Sequence, residues 1–333
     1  ALPISFENFN FSAFKTRHQL GLNEILKDIK KASSDEDIKE IYLELGSIPA
    51  GIACIEEIRD ALIDFKKSKK FILSYSEYYS QKAYYLASVS DAIYLNPAGN
   101  MDWKGLSSQL MFFKGTLEKL EVEPEIIRHG KFKSAVEPFI LDKMSDESRL
   151  QTKTFISGIW NHWIDNIALQ RKISASTLNQ LANDLTINHA NDAVKANLID
   201  KTLYYDEVQN EIKKRIGIST QDKIAFVSLS KYHKVAGPSR DKLSMDKIAI
   251  VFAEGDIESG DGEESSIGSD RIASALREAR LDKKVKAIVL RVNSPGGSAL
   301  ASDVIWRECL LAKQAKPLVV SMGNYAASGG YYI

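Results

Sequence analysis

The feature that most constrains this chain is an internal repetition that holds without a gap. Displacing the sequence by 247 residues sets Ile38–Leu43 (IKEIYL) on Val285–Leu290 (VKAIVL), in both cases a charged helix end running into an apolar run. Further along, Phe71–Ser74 falls on Leu318–Ser321 and Tyr84-Tyr85 on Tyr331-Tyr332, while upstream Gly21 falls on Gly268. Self-similarity of this kind sets the architecture before any local pattern is read. Each copy reads helix, strand, turn, helix, strand, then a turn into another helix. Ile272, Leu276 and Ala279 recur at helical spacing, and strands rich in Ile, Val and Leu suit a mostly parallel sheet covered on both faces. The expectation is a duplicated α/β protein.

Between the copies, residues 116–215 read as helix-rich. Phe155, Ile159, Trp163 and Ile167 are spaced four apart, so these apolar residues are expected in a core. A strand is expected over Lys223–Leu229, followed by a Gly/Pro/Ser-containing loop over 232–246 and a strand over Ile248–Phe252. The organisation is therefore 1–220, a strand and linker over 221–245, and a second α/β copy over 246–333.

Composition removes some classes. With 44 basic and 44 acidic side chains and no basic stripe carrying aromatics, nucleic acid is not expected as a partner. Cys54 and Cys309 are the only cysteines and lie far apart, which gives neither a disulfide framework nor a zinc site. No apolar run of about 18 residues occurs, and the opening ALPISFENFNF lacks the pattern of a signal peptide. The acidic run Glu254–Glu264 matches no calcium loop and reads as solvated.

Two turns in the second copy can carry chemistry, because each follows an apolar strand that supplies a rigid platform. The first is Asn293-Ser294-Pro295-Gly296-Gly297, where glycines let backbone N–H groups face a ligand; it can form an oxyanion hole, and it can equally be an ordinary tight turn. The second is Gly323-Asn324-Tyr325-Ala326-Ala327-Ser328-Gly329-Gly330, whose small residues leave Ser328 uncovered. The first copy has Ile48-Pro49-Ala50 and Gln81 at the corresponding positions, so only one copy keeps this turn chemistry. A serine needs a base. His18, His129, His162, His189 and His233 sit in no recognisable triad pattern and no G-x-S-x-G occurs, which leaves a lysine of lowered pKa as the alternative.

Residues Gly130–Phe139 (GKFKSAVEPF), together with NSPGGSALASDVIWRE and SMGNYAASGGYYI, resemble the lysine, oxyanion and nucleophile segments of the signal peptide peptidase A (protease IV) family, long bacterial form. The resemblance covers essentially the whole chain and implies α/β tandem repeats of the Clp protease and crotonase type with a helical insertion between them. It further implies a serine peptidase with Ser328 as nucleophile, Lys133 as general base, and the N–H groups of Gly297 and Gly329 as oxyanion donors. Gly296 is an alternative donor and Lys131 the competing lysine. No metal or organic cofactor is called for. The implied partners are cleaved signal peptides and further copies of the chain. The implied location is the periplasmic side of a bacterial inner membrane, held there by a segment outside this sequence. The family also places a lysine-orienting serine beyond the nucleophile, which this sequence does not contain, so a chain ending at Ile333 is expected to be a poorly active fragment. A crotonase-type acyl-CoA enzyme and a non-catalytic scaffold remain the alternatives.

Overall fold

The computed structural model describes residues 2–3, 20–235 and 245–333. These form two compact units. One contains residues 28–48 and 62–234 with the first strand; the other contains residues 21–27, 49–61 and the described part of 235–333.

The first unit is built on a parallel sheet whose order follows the sequence: β1 (Leu2–Pro3), β2 (Glu40–Glu44), β3 (Phe71–Tyr79), β4 (Ala92–Met101) and β5 (Lys201–Thr202). Helices α1 (Leu22–Ser34), α2 (Ile52–Lys66) and α3 (Gln81–Ala87) connect the early strands. After β4 come α4 (Lys114–Lys119), a 3-10 turn at Ser134–Val136, α5 (Glu137–Ile140), α6 (Asp146–Arg171), α7 (Ala175–Asn183) and α8 (Ala190–Lys195). Beyond β5 lie α9 (Tyr205–Ile216) and α10 (Leu229–Tyr232). The helix starts are encoded locally. Ser80, Ser145 and Ser174 each accept a hydrogen bond from a backbone N–H in the first turn of the helix they cap, and Gly217 ends α9 in the left-handed region.

Four successive residues of β2 and five of β3 are buried, so this sheet is covered on both faces. On one face Val208 and Ile212 of α9 pack against Tyr42, Leu73, Tyr75, Ala92 and Tyr94. The expected strand at Lys223–Leu229 does not form. That stretch makes no ladder, and its apolar residues cover the sheet instead, with Phe226 over the ring of Tyr42 at 5.8 Å and Ile224 against the same cluster. In α6, Trp163 and Ile167 are buried as their spacing predicts, but Phe155 is 67% exposed, because the first turns of this long helix extend past the sheet core. Of the expected loop over 232–246, residues 236–244 lie outside the described residues.

In the second unit β6 (Lys247–Glu254), β9 (Val285–Ser294) and β10 (Leu318–Ala326) form a parallel sheet in the order β10-β9-β6, with a small pair of strands β7 (Ile257–Glu258) and β8 (Ile267–Gly268). The connecting helices are α11 (Ser269–Leu281) and α12 (Ala299–Ala315), and α13 (Gly329–Tyr332) follows β10. Right-handed crossovers that add strands in one direction put both helices on the same face. Ile272 and Leu276 of α11 and Ala301, Ile305 and Cys309 of α12 pack there on Ile288, Leu290 and Val292. The opposite face does not match the expected two-sided cover: Ile248 is 67% exposed, Ile250 55% and Phe252 53%. In the acidic run, Glu258 is used internally, accepting from the backbone N–H of Glu263 and the hydroxyl of Ser266.

One buried group in the first unit carries a measurable cost. Glu40 of β2 is wholly buried, and neither carboxylate oxygen has a hydrogen-bond partner among the described residues. Burial pushes its carboxyl up to about 7. A folded-state pKa above the ordinary value means that the folded chain binds more protons between about pH 4.5 and about pH 7. Stability therefore falls as pH rises through that window. Glu40→Gln is expected to melt higher than the parent chain at pH 8, by an amount on the order of 3 kcal/mol, with the gain shrinking toward zero at about pH 4.5. Equal melting of the two chains at pH 8 would remove the penalty assigned to this carboxylate.

Candidate functional site

Strand β9 ends at Ser294 and turns through Pro295, Gly296 and Gly297 into Ser298, whose hydroxyl caps α12 by accepting from the Ala301 N–H. The turn is clamped to Ile257 of β7. The Ile257 N–H donates to the Gly296 carbonyl at 2.9 Å and the Ser298 N–H donates to the Ile257 carbonyl at 2.8 Å. Gly297 has φ +154°, and a Cβ there would stand 2.1 Å from the Ile257 carbonyl oxygen. Gly296 has φ +108°, and a Cβ there would stand 2.7 Å from the Ser328 Cβ and 2.8 Å from the Gly329 nitrogen. Only glycines permit this approach of one turn to the other.

The second turn carries Ser328. Strand β10 stops at Ala326, the Ala327 N–H donates to the Ser294 carbonyl at 3.0 Å, and the chain reverses into α13. Ser328 takes φ +52° and ψ −122°, a conformation that costs a non-glycine residue on the order of 1–3 kcal/mol. A serine held at the tip of a sharp, strained strand-to-helix turn is the geometry of a nucleophile elbow. The sequence does not match the usual elbow pattern, because Ala326 stands where that pattern has its first glycine. Ser328 is exposed, and its hydroxyl has no hydrogen bond among the described residues.

The backbone donors around it divide cleanly. The Gly296 N–H is already bound to the Ser294 hydroxyl at 3.1 Å. The N–H groups of Gly297 and Gly329 have no acceptor among the described residues. Of the three glycines singled out in the sequence, these two have a free donor and Gly296 does not. At position 81, opposite Ser328 in the 247-residue displacement, Gln81 is a brace. Its carbonyl oxygen accepts from the N–H groups of Lys104 and Gly105 at 2.7 and 2.8 Å, and its amide donates to the Gly105 carbonyl at 2.8 Å.

Lys133 lies in the other unit, at the start of the 3-10 turn Ser134–Val136, and is exposed, as is Lys131. The burial that a base lysine requires is therefore not supplied by its own turn. That turn is anchored by Glu137, which is 2% exposed and accepts from the Ser145 hydroxyl at 2.6 Å and the Ser145 N–H at 3.1 Å, with Arg128 at 3.6 Å. Burial raises the Glu137 carboxyl, but the Ser145 bonds and Arg128 outweigh it and hold the group below its ordinary value. Beside the turn is a groove of about 460 Å³ lined by Leu110, Ser134, Ala135, Pro138, Gln151 and Phe155. Sequence reasoning missed Glu137 and Ser294, though both lie inside the segments it singled out. It could not have found Ile257, which acts through its backbone.

Residues 64–219 match the profile of peptidase family S49. The chain is 36% identical over 315 residues to Protease 4 of Haemophilus influenzae, covering 92% of this chain and 51% of that protein. It is 38% identical over 321 residues to Protease 4 of Salmonella typhi, covering 94% and 52%. A plant protein, the chloroplastic serine protease SPPA of Arabidopsis thaliana, is 33% identical over 329 residues, covering 96% and 48%. The chain thus spans about half the length of the curated relatives it matches.

The contact between the two turns predicts the effect of a single methyl group. Gly296→Ala is expected to lower stability by at least about 1–3 kcal/mol, because the new Cβ meets both a positive φ and the backbone of the elbow. Thermal unfolding of the variant measures it; an unchanged melting temperature would mean that the turns are not in contact.

Proposed function

Because the chain belongs to peptidase family S49, we propose that it acts as a serine endopeptidase in which Ser328 is the nucleophile and Lys133 the general base. The observation that carries this reading is the strained, exposed Ser328, whose hydroxyl has no hydrogen bond among the described residues, set against a glycine turn in which the Gly297 N–H has no acceptor among them. Neutral Lys133 Nζ takes the hydroxyl proton, and Ser328 Oγ attacks the peptide carbonyl carbon. The N–H groups of Gly297 and Gly329 receive the developing oxyanion, the role for which their lack of internal acceptors leaves them available. Lys133 gives the proton to the leaving amine as the C–N bond breaks. The again-neutral Lys133 Nζ then deprotonates a water that attacks the acyl carbonyl carbon, and returns that proton to Ser328 Oγ as the ester C–O bond breaks. These steps call for no metal or organic cofactor.

On this reading the two α/β stretches are tandem repeats of the Clp protease and crotonase type with helices inserted between them. Support comes from the strands Phe71–Tyr79 and Leu318–Ala326, which coincide under the 247-residue displacement, and from parallel ladders in both units. The ladders differ by one residue, since Ile41 pairs with Ile72 whereas Ile288 pairs with Leu318. The substrates are apolar peptides, cleaved signal peptides among them. The exposed Leu110, Phe132, Phe139 and Phe155 around the lysine turn suit such chains. The protein works as a homo-oligomer at the periplasmic face of a bacterial inner membrane. Among the described residues no helix is long and apolar enough to cross a membrane; on this reading the membrane segment lies outside this sequence.

Hydrolysis of an apolar fluorogenic peptide by the full-length protein tests the reading. Ser328→Ala is expected to abolish turnover, and Lys133→Ala to reduce it by roughly a hundredfold to ten-thousandfold. The parent rate should climb between pH 6 and pH 10 along one basic limb, since only the neutral amine accepts the proton. Full activity in either variant would take that residue out of the mechanism.

A further inference from the structure

The strand that delivers Ser328 is not held by its own ladder over its last stretch. Strand β10 pairs regularly with β9 as far as Met322 opposite Val292, and pairing resumes only with Ala326 opposite Ser294. Gly323, Asn324 and Tyr325 oppose the single residue Asn293 in a bulge that ends just before the elbow. Bulges re-aim a side chain at the cost of ladder hydrogen bonds, so something else must fix the strand there. Two asparagine side chains do so. Asn293 Oδ1 accepts from the Tyr325 N–H at 3.1 Å, while its amide donates to Glu254 at 3.1 Å.

Asn324 reaches the start of α2. Its Oδ1 accepts from the N–H groups of Ala53 and Cys54 at 3.1 and 3.4 Å, and its Nδ2 donates to the Cys54 sulfur at 3.3 Å. The orphan donors in the first turn of that helix are thereby satisfied by a residue about 270 positions away in sequence, which ties helix and bulge together. The fit is close: a Cβ on Gly51 would stand 2.1 Å from the Asn324 side-chain carbon. A second strut lies alongside, where Arg291 donates to Glu57 of α2 at 2.5 Å and to the Ser321 hydroxyl of β10 at 2.8 Å.

We propose that Asn324 is a positioning residue for the nucleophile: by clamping the β10 bulge to the first turn of α2, it sets the aim of the Ser328 elbow four residues on. The proposal rests on the reading of Ser328 as the nucleophile. Asn324 touches no reacting atom. Its loss lets the bulge relax while the glycine contact still holds the turns together, so the fold persists and the hydroxyl is misaimed. A displacement of about 1 Å at a reacting group is enough for a loss of about a hundredfold.

The test is a double-mutant cycle on the full-length protein, read as the rate of fluorophosphonate labelling of Ser328 and as kcat and KM on an apolar peptide. Asn324→Ala is expected to slow labelling and lower kcat by roughly tenfold to a hundredfold with KM little changed. Asn324→Asp, which keeps the acceptor oxygen, is expected to recover most of the rate. Gly51→Ala attacks the same contact from the helix side and should reproduce the loss. In the Asn324→Ala background it should add nothing, because the atom it would strike is gone. Labelling at the parent rate in Asn324→Ala, or losses that simply add in the double variant, would overturn the proposal. Ser328→Ala separates the two levels: if it still labels, the nucleophile assignment has failed, whereas abolished labelling with an unaffected Asn324→Ala sinks only the positioning role. Should Asn324→Ala fail to fold, Gly51→Ala and Asn324→Asp carry the comparison.

Discussion

The candidate site depends on one steric fact, the absence of a Cβ at Gly296. With its α-carbon bare, the turn after β9 lies directly against Ser328 and the Gly329 nitrogen. A hydrogen bond from the Ala327 N–H to the Ser294 carbonyl then locks the two turns. Everything chemically useful follows from that contact. The elbow is held in a conformation a serine would otherwise avoid, its side chain is exposed, and the N–H groups of Gly297 and Gly329 have no acceptor among the described residues. Gly297 fixes the same turn on its other side, where only hydrogen fits against the Ile257 carbonyl. The strain at Ser328, on the order of 1–3 kcal/mol, is small against the combined effect of these restraints and persists for that reason.

Much of this was legible in the sequence because it is written in residue types with few alternative uses. Adjacent glycines after an apolar strand, and a serine among alanines and glycines after another, announce close backbone approach without naming its partner. The resemblance implied Gly297 as an oxyanion donor, with Gly296 as its alternative. The difference between them is a hydrogen bond from the Gly296 N–H to the hydroxyl of Ser294, a short-range choice that no residue pattern encodes. The Lys223–Leu229 stretch shows the opposite case. Its β-favouring composition serves to lay Phe226 and Ile224 over a sheet face already present, so tertiary burial overrode local propensity. In the second unit only one of the two expected covers is present in this chain. Both crossovers run the same way, so α11 and α12 cover one face only, and the other face of β6 is not covered within this chain.

The asymmetry between positions 81 and 328 shows how one framework position serves opposite ends. Gln81 follows a normally capped Ser80, with φ −65°, and spends its whole amide on the backbone of Lys104 and Gly105. Its three hydrogen bonds go into bracing that backbone. The Ser328 hydroxyl has no hydrogen bond among the described residues, and the residue sits at φ +52°. With that hydroxyl unbound among the described residues, the turn that carries it is fixed by other atoms. Here these are glycine backbone, the Ser294 carbonyl and, along the bulge, the carboxamides of Asn293 and Asn324.

The same economy explains why the lysine turn looks unlike the elbow. A nucleophile needs an exact direction, whereas a general base needs an environment that disfavours its charge. Lys133 is exposed on its own turn, and what the first unit supplies is anchorage two residue positions beyond the 3-10 segment's centre, at Glu137. There a buried carboxylate stays ionised because Ser145 gives it two hydrogen bonds and Arg128 stands nearby. An ionised carboxylate whose bonds are met by Ser145 and Arg128 fixes the turn firmly. Rigidity beside Lys133 is thus obtained from a buried charge whose bonds run to Ser145 and Arg128.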